Sequence, residues 1–128
     1  MVQSDPGSFG AVSTVFSQNN GEVMPASAIC ARVLDLMPSG VAVCRMLFEN
    51  GEPDDYIHLY TNPAFHLQTG LGEVCGKRIT EVIPGLRQAD ARLFESYGRV
   101  AAGGQPERFE TYVHGLQRWF AIQVFGPQ

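Results

Sequence analysis

Residues 54–70, DDYIHLYTNPAFHLQTG, change periodicity once, and that change constrains the fold more than any other stretch. Tyr56 to Thr61 is a β-branched and aromatic run that predicts a strand. Asn62-Pro63 breaks it. Asn hydrogen-bonds its own backbone in turns, and Pro suits the first helical position, where no N–H needs a partner. Ala64, Phe65, Leu67 and Gln68 follow with helical spacing, and Gly70 predicts a C-terminal cap. A strand, an Asn-Pro turn and a short helix in a row form a unit that many α+β domains contain.

A chain of 128 residues with 45% hydrophobic composition supports one domain with a modest core. The formal charge is −4 and Lys77-Arg78 is the only adjacent basic pair, which argues against a nucleic-acid-binding surface. Apolar runs are far too short for a membrane segment. The start, MVQSDPGSFG, lacks the basic-then-apolar order of a secretory signal. Cys30, Cys44 and Cys75 are odd in number, widely spaced and form no CxxC pair, so they read as reduced thiols of a cytoplasmic protein rather than a zinc or redox site.

Taken in order, residues 1–23 read as an N-terminal tail carrying a strand-like stretch at 9–16, with Gln18 to Gly21 as a turn. Residues 24–38 predict a leading helix with an apolar stripe of Ile29, Val33, Leu36 and Met37, ended by Pro38. A strand follows over Val41–Phe48. Asn50-Gly51 with Glu52-Pro53-Asp54 predicts a hairpin loop into Tyr56–Thr61. Ile79–Val82 predicts one helical turn, stopped at Pro84-Gly85. Residues 87–102 form the longest helical pattern, with Leu93, Phe94, Tyr97, Val100 and Ala101 on one face. Gly98 weakens such a helix and so marks close packing. Glu107–Val113 and Arg118–Phe125 predict a last hairpin, with 114–117 as its turn.

This order, and the wording of four segments, resembles a PAS domain. LDLMPSGVAV is similar to the family's opening helix and first strand, and DDYIHLYTNPAFHLQTGL to its second strand and Asn-x-Ala-Phe helix. GEVCGKRITEVIPGL is similar to its connector, and ERFETYVHGLQRWFAIQVF to its last hairpin. The resemblance spans residues 34–125 and implies an antiparallel five-stranded sheet with helices over one face. It also implies a sensory or dimerisation module of the kind found in histidine kinases, diguanylate cyclases and transcription regulators. Residues 39–128 would be the PAS-like domain, truncated before its fifth strand. In the family that strand lies mid-sheet, between the first and fourth, and a gap there would leave backbone groups unpaired. Residues 9–16 are expected to fill it, from the same chain or from a dimer partner, the alternative being a flanking segment.

The resemblance also bears on cofactors. Haem-binding members carry their ligand on the longest helix, and residues 87–102 contain no His. His58, His66 and His114 fall on a strand, a short helix and a turn, so no metal site is expected. Cys75 lacks the Asn-Cys-Arg-Phe context of photoreactive flavin members, so a covalent flavin adduct is not expected; the identity of any other cofactor is open. The carboxylate pairs Asp54-Asp55 and Glu107/Glu110 fit turn chemistry and opposite strand faces, so no catalytic residue is assigned.

A ligand pocket is the sharper expectation. Its helical wall would be Phe65, Ile83, Leu93, Phe94 and Tyr97, and its sheet wall Cys44, Leu59, Phe109, Phe120 and Ile122. The same residues equally describe a filled core. Ile29, Val33 and Leu36 of the leading helix, with Trp119 and Phe125 on the other sheet face, are the expected dimer or helix contacts. The sequence thus reads as the sensory PAS module of a two-component or related bacterial signalling protein. It would be non-enzymatic and homodimeric, binding a small-molecule ligand or partner and relaying to an effector outside this chain. A ligand-free dimerisation module is the alternative. A small enzyme of a cone-shaped α+β fold, using His58 or His66 as base, is a weaker third.

Overall fold

The computed structural model describes residues 9–17 and 28–126. The expected tail 1–8, the turn at 18–21, the first residues of the leading helix and the side chain of Ile29 lie outside the described set. The elements are β1 (Phe9–Phe16), α1 (Ala28–Leu36), β2 (Gly40–Glu49), β3 (Glu52–Thr61), α2 (Pro63–Thr69), α3 (Ile79–Val82), α4 (Leu86–Ala89), α5 (Ala91–Ala101), β4 (Glu107–Val113) and β5 (Arg118–Phe125). Among the described residues no helix is long and apolar enough to cross a membrane.

The architecture is α+β, with a five-stranded sheet in the order β3-β2-β1-β5-β4. Strand β1 occupies the centre and pairs with β2 on one side and β5 on the other, so the central slot is filled from the same chain. Both pairings are parallel, and the sheet is therefore mixed rather than antiparallel as expected. For β1 and β2 this follows from the connection that contains α1, since parallel neighbours need a crossover and not a hairpin. The outer pairs, β2–β3 and β4–β5, are antiparallel.

Period-two alternation sends Val12, Thr14 and Phe16 of β1 and Phe120, Ile122 and Val124 of β5 to one buried face. They meet Phe65, Ile79, Ile83, Leu86, Leu93, Phe94, Tyr97 and Val100 from α2 to α5, and this layer is the core. The β2–β3 hairpin is tighter than expected. Asn50 and Gly51 both have positive φ, 53° and 81°, which makes a two-residue turn and extends β3 back to Glu52. Pro53 is tolerated because β3 is an edge strand.

The long helix expected over 87–102 is broken. Asp90, at φ −127° and ψ 53°, separates α4 from α5. Its side chain makes no capping bond to α5 but turns to His114 on the β4–β5 turn, 2.9 Å from Nδ1. Gly98 marks close packing, as its sequence position suggests. A Cβ there would stand 2.6 Å from Cγ of Pro53.

Candidate functional site

The Asn-Pro unit positions the site. Asn62 caps α2 by accepting from Phe65 N–H at 3.0 Å. The same oxygen accepts from Val41 N–H at 2.8 Å, and Nδ2 donates to the carbonyls of Leu34 and Ser39 at 2.8 and 3.1 Å. One fully buried side chain thus ties the end of α1, the start of β2 and α2 together. Gly70, with φ 76°, closes α2 in the left-handed conformation.

Between the sheet and α2 to α5 lies a cavity of about 50 Å³. A single water needs roughly 10–15 Å³ on this measure, so it can hold a few waters or a very small molecule. The lining is mostly apolar: Val12, Phe65, Leu71, Ile79, Ile83, Leu86, Leu93, Val113, Leu116, Phe120 and Ile122. Thr14, Tyr56, His58, Thr69 and Tyr97 supply the polar groups. Thr14 Oγ1 and Tyr97 Oη are hydrogen-bonded at 2.9 Å. Thr69 Oγ1 donates to the Phe65 carbonyl. Burial raises the pKa values of the Tyr56 and Tyr97 hydroxyls, so both stay protonated at neutral pH.

His58 is the unusual member. It is 3% exposed, and its Nδ1 has no hydrogen-bond partner among the described residues. Burial pushes its pKa down to about 4, with the nearby His66 adding a smaller effect, so the ring is neutral at pH 7. Tyr56 and Phe65 hold it by ring contacts, at centroid distances of 5.6 and 5.3 Å. A neutral imidazole can offer a donor or an acceptor at this nitrogen, depending on tautomer. Leaving a buried polar atom unpaired costs about 1–3 kcal/mol.

Of the ten pocket residues expected from sequence, Phe65, Ile83, Leu93, Tyr97, Phe120 and Ile122 line the cavity. Cys44 and Phe94 are buried in the core without lining it, and Phe109 is half-buried against it. Leu59 follows His58 on β3, so alternation puts it on the face away from the cavity; it also sits at a bulge, where His58 pairs with Cys44 and Tyr60 with Val43. Sequence reasoning missed Tyr56, His58 and Thr14. Their signal was alternation, since Tyr56 and His58 share one face of β3 and Thr14 lies between Val12 and Phe16.

The other histidines sit elsewhere. His66 Nδ1 faces the Leu71 carbonyl at 3.0 Å and Nε2 faces Thr61 Oγ1 at 2.9 Å, so both nitrogens are engaged. His114 is held by Asp90 on the surface. Among the described residues no cluster of three His, Cys, Asp or Glu is arranged to hold a metal ion. Val33, Leu36, Trp119 and Phe125, the expected dimer or helix contacts, are exposed among the described residues, at 56%, 78%, 48% and 38%. Comparison with protein-family models, curated proteins and solved structures finds no match to this chain.

Proposed function

We propose that this chain is a sensory, regulatory module of PAS type from a bacterial signalling protein, and that it takes a small ligand in the core cavity. The observation that carries this reading is the unpaired, buried Nδ1 of His58 beside open volume between sheet and helices. A ligand with one hydrogen-bonding group there would recover the desolvation cost of the nitrogen. Its size would be a few non-hydrogen atoms, and a haem or flavin would require the core to open. The ligand shifts the protein only as far as it distinguishes two packings. Phe65, in the cavity wall, starts from the same Asn62 that holds the Leu34 carbonyl at the end of α1, so wall and leading helix share one buried anchor. The effector would lie outside this chain.

The test is a native mass spectrum of the purified protein against its denatured mass, repeated for His58→Phe. Extra mass in the wild type that is absent from a folded His58→Phe supports the reading. Bare wild-type protein that gains nothing from a panel of small polar molecules overturns it.

A second reading, a ligand-free dimerisation module, is favoured by the exposed Val33, Leu36, Trp119 and Phe125. A bare dimer in the same spectrum would support it. The enzymatic reading has no comparable observation behind it, because His66 is fully engaged and, among the described residues, His58 makes no hydrogen bond to a carboxylate.

A further inference from the structure

A second site lies on the surface, independent of the core cavity. A cleft of about 330 Å³ runs between the α4–α5 corner and the β4 edge of the sheet, lined by Asp90, Arg92, Glu110, Tyr112, His114 and Trp119 among others. Asp90 occupies the position before α5 where a carboxylate ordinarily caps a helix, and it makes no capping bond. Both its oxygens serve His114 instead: Oδ1 faces Nδ1 at 2.9 Å, and Oδ2 accepts the backbone N–H at 3.2 Å. A carboxylate only accepts, so Nδ1 carries the proton. In the neutral ring Nε2 then presents a lone pair. The His114 side chain is 62% exposed while that of Asp90 is 3% exposed, and Nε2 has no partner among the described residues. His114, Tyr112 and Trp119 form a row of edge-to-face rings, with centroids 5.2 and 5.7 Å apart and interplanar angles of 86° and 65°.

We propose that this cleft binds a small planar aromatic molecule bearing a hydroxyl, its ring packing against the Tyr112 ring beside His114 and its O–H donating to His114 Nε2. The ring row supplies a surface that favours another ring edge-to-face or offset. The oriented imidazole supplies an acceptor whose direction is fixed by a buried carboxylate.

Phenol is the probe and anisole, which keeps the ring and oxygen but has no donor, is the control. The readouts are the Trp119 indole N–H and the ring nitrogens of His114 in NMR titrations of the full chain. Phenol should shift both saturably, and anisole should bind at least about fivefold more weakly, the worth of one neutral hydrogen bond. In Asp90→Asn the amide oxygen can keep the His114 backbone N–H, leaving the amide NH₂ to face Nδ1 and moving the ring proton to Nε2. The phenol-to-anisole ratio should then collapse towards one, which a merely structural pair would not produce. His114→Phe, at an exposed position, should fold and lose the preference as well. Equal binding of phenol and anisole by the wild type overturns the proposal. So do shifts confined to core residues such as Tyr97 and Phe120, or cleft shifts with methyl glucoside but none with phenol.

Discussion

Thr14 Oγ1 lies 2.9 Å from Tyr97 Oη, joining the central strand to α5 through the middle of the core. Neither hydroxyl is near solvent, since Thr14 is 2% and Tyr97 4% exposed. Among the described residues each hydroxyl has the other as its hydrogen-bond partner. Thr14→Val preserves shape and strands the tyrosine hydroxyl; Tyr97→Phe strands the threonine. Each single change should cost about 1–3 kcal/mol in urea denaturation, and the double variant should cost less than their sum by about 1 kcal/mol. Strict additivity would mean that the two hydroxyls do not depend on one another.

Gly98 sits inside α5, where Ala would ordinarily add up to about 1 kcal/mol of helix stability. The approach of Pro53 reverses that expectation. A Cβ would meet ring carbons at 2.6 and 2.9 Å, and a proline ring on a paired strand cannot swing away. Gly98→Ala should therefore destabilise, by about 1–3 kcal/mol of overpacking less the propensity gain. Pro53→Ala should restore most of the loss in the Gly98→Ala background. A more stable Gly98→Ala protein by thermal denaturation would contradict this packing.

Local chemistry made much of this fold legible. Asn62, Pro63 and Gly70 marked both ends of α2, and the β4 and β5 limits follow the period-two runs. Strand β1 was legible as a strand filling the central slot, but not its direction, because direction depends on the crossover through α1 and not on the composition of 9–16. The break at Asp90 escaped helical periodicity because its partner, His114, lies 24 residues away. The bulge at Leu59 escaped for the same reason: one extra residue on β3 is defined only by the register of β2. Within the cavity the apolar wall followed from helical and strand spacing. The polar members, Thr14 and His58, shared that alternation, but which face of β1 and β3 met the helices followed only from the position of β1 and the register of β3.

Asn62 gives a third test. Its oxygen accepts from Val41 and Phe65 while its NH₂ donates to Leu34 and Ser39. Asn62→Asp keeps the acceptor that caps α2 and replaces two donations with a carboxylate oxygen facing two carbonyls. The variant should lose more than the ~1 kcal/mol typical of a cap, because an unpaired buried charge is added to two lost bonds. Part of the loss should return at low pH, where a protonated carboxyl can donate one bond. Stability equal to the wild type's, measured by denaturant titration at pH 7, would show that the donations to α1 and the β2 start carry little.

The burial of His58 predicts a pH dependence with a defined sign. Its pKa is lowered from 6.5 to about 4 in the folded chain. Between these values the unfolded chain takes up a proton that the native one refuses, so stability falls as pH is lowered. The loss begins below about pH 6.5, is complete near pH 4, and amounts to at most about 3 kcal/mol at 1.36 kcal/mol per pH unit. Glu107, whose carboxyl Arg99 holds below its usual range, contributes with the same sign but only in the carboxylate range, and its surface position makes that contribution small. The difference between wild type and His58→Phe from pH 6.5 to 4.5 therefore isolates the imidazole. His58→Phe should flatten the slope there and, by removing an unpaired buried nitrogen, be at least as stable as wild type at pH 7. Urea midpoints at half-unit pH steps give both numbers. An unchanged slope in His58→Phe would mean that His58 is solvated or already paired, and the polar wall of the cavity would then have to be sought at Thr14 and Tyr97 alone.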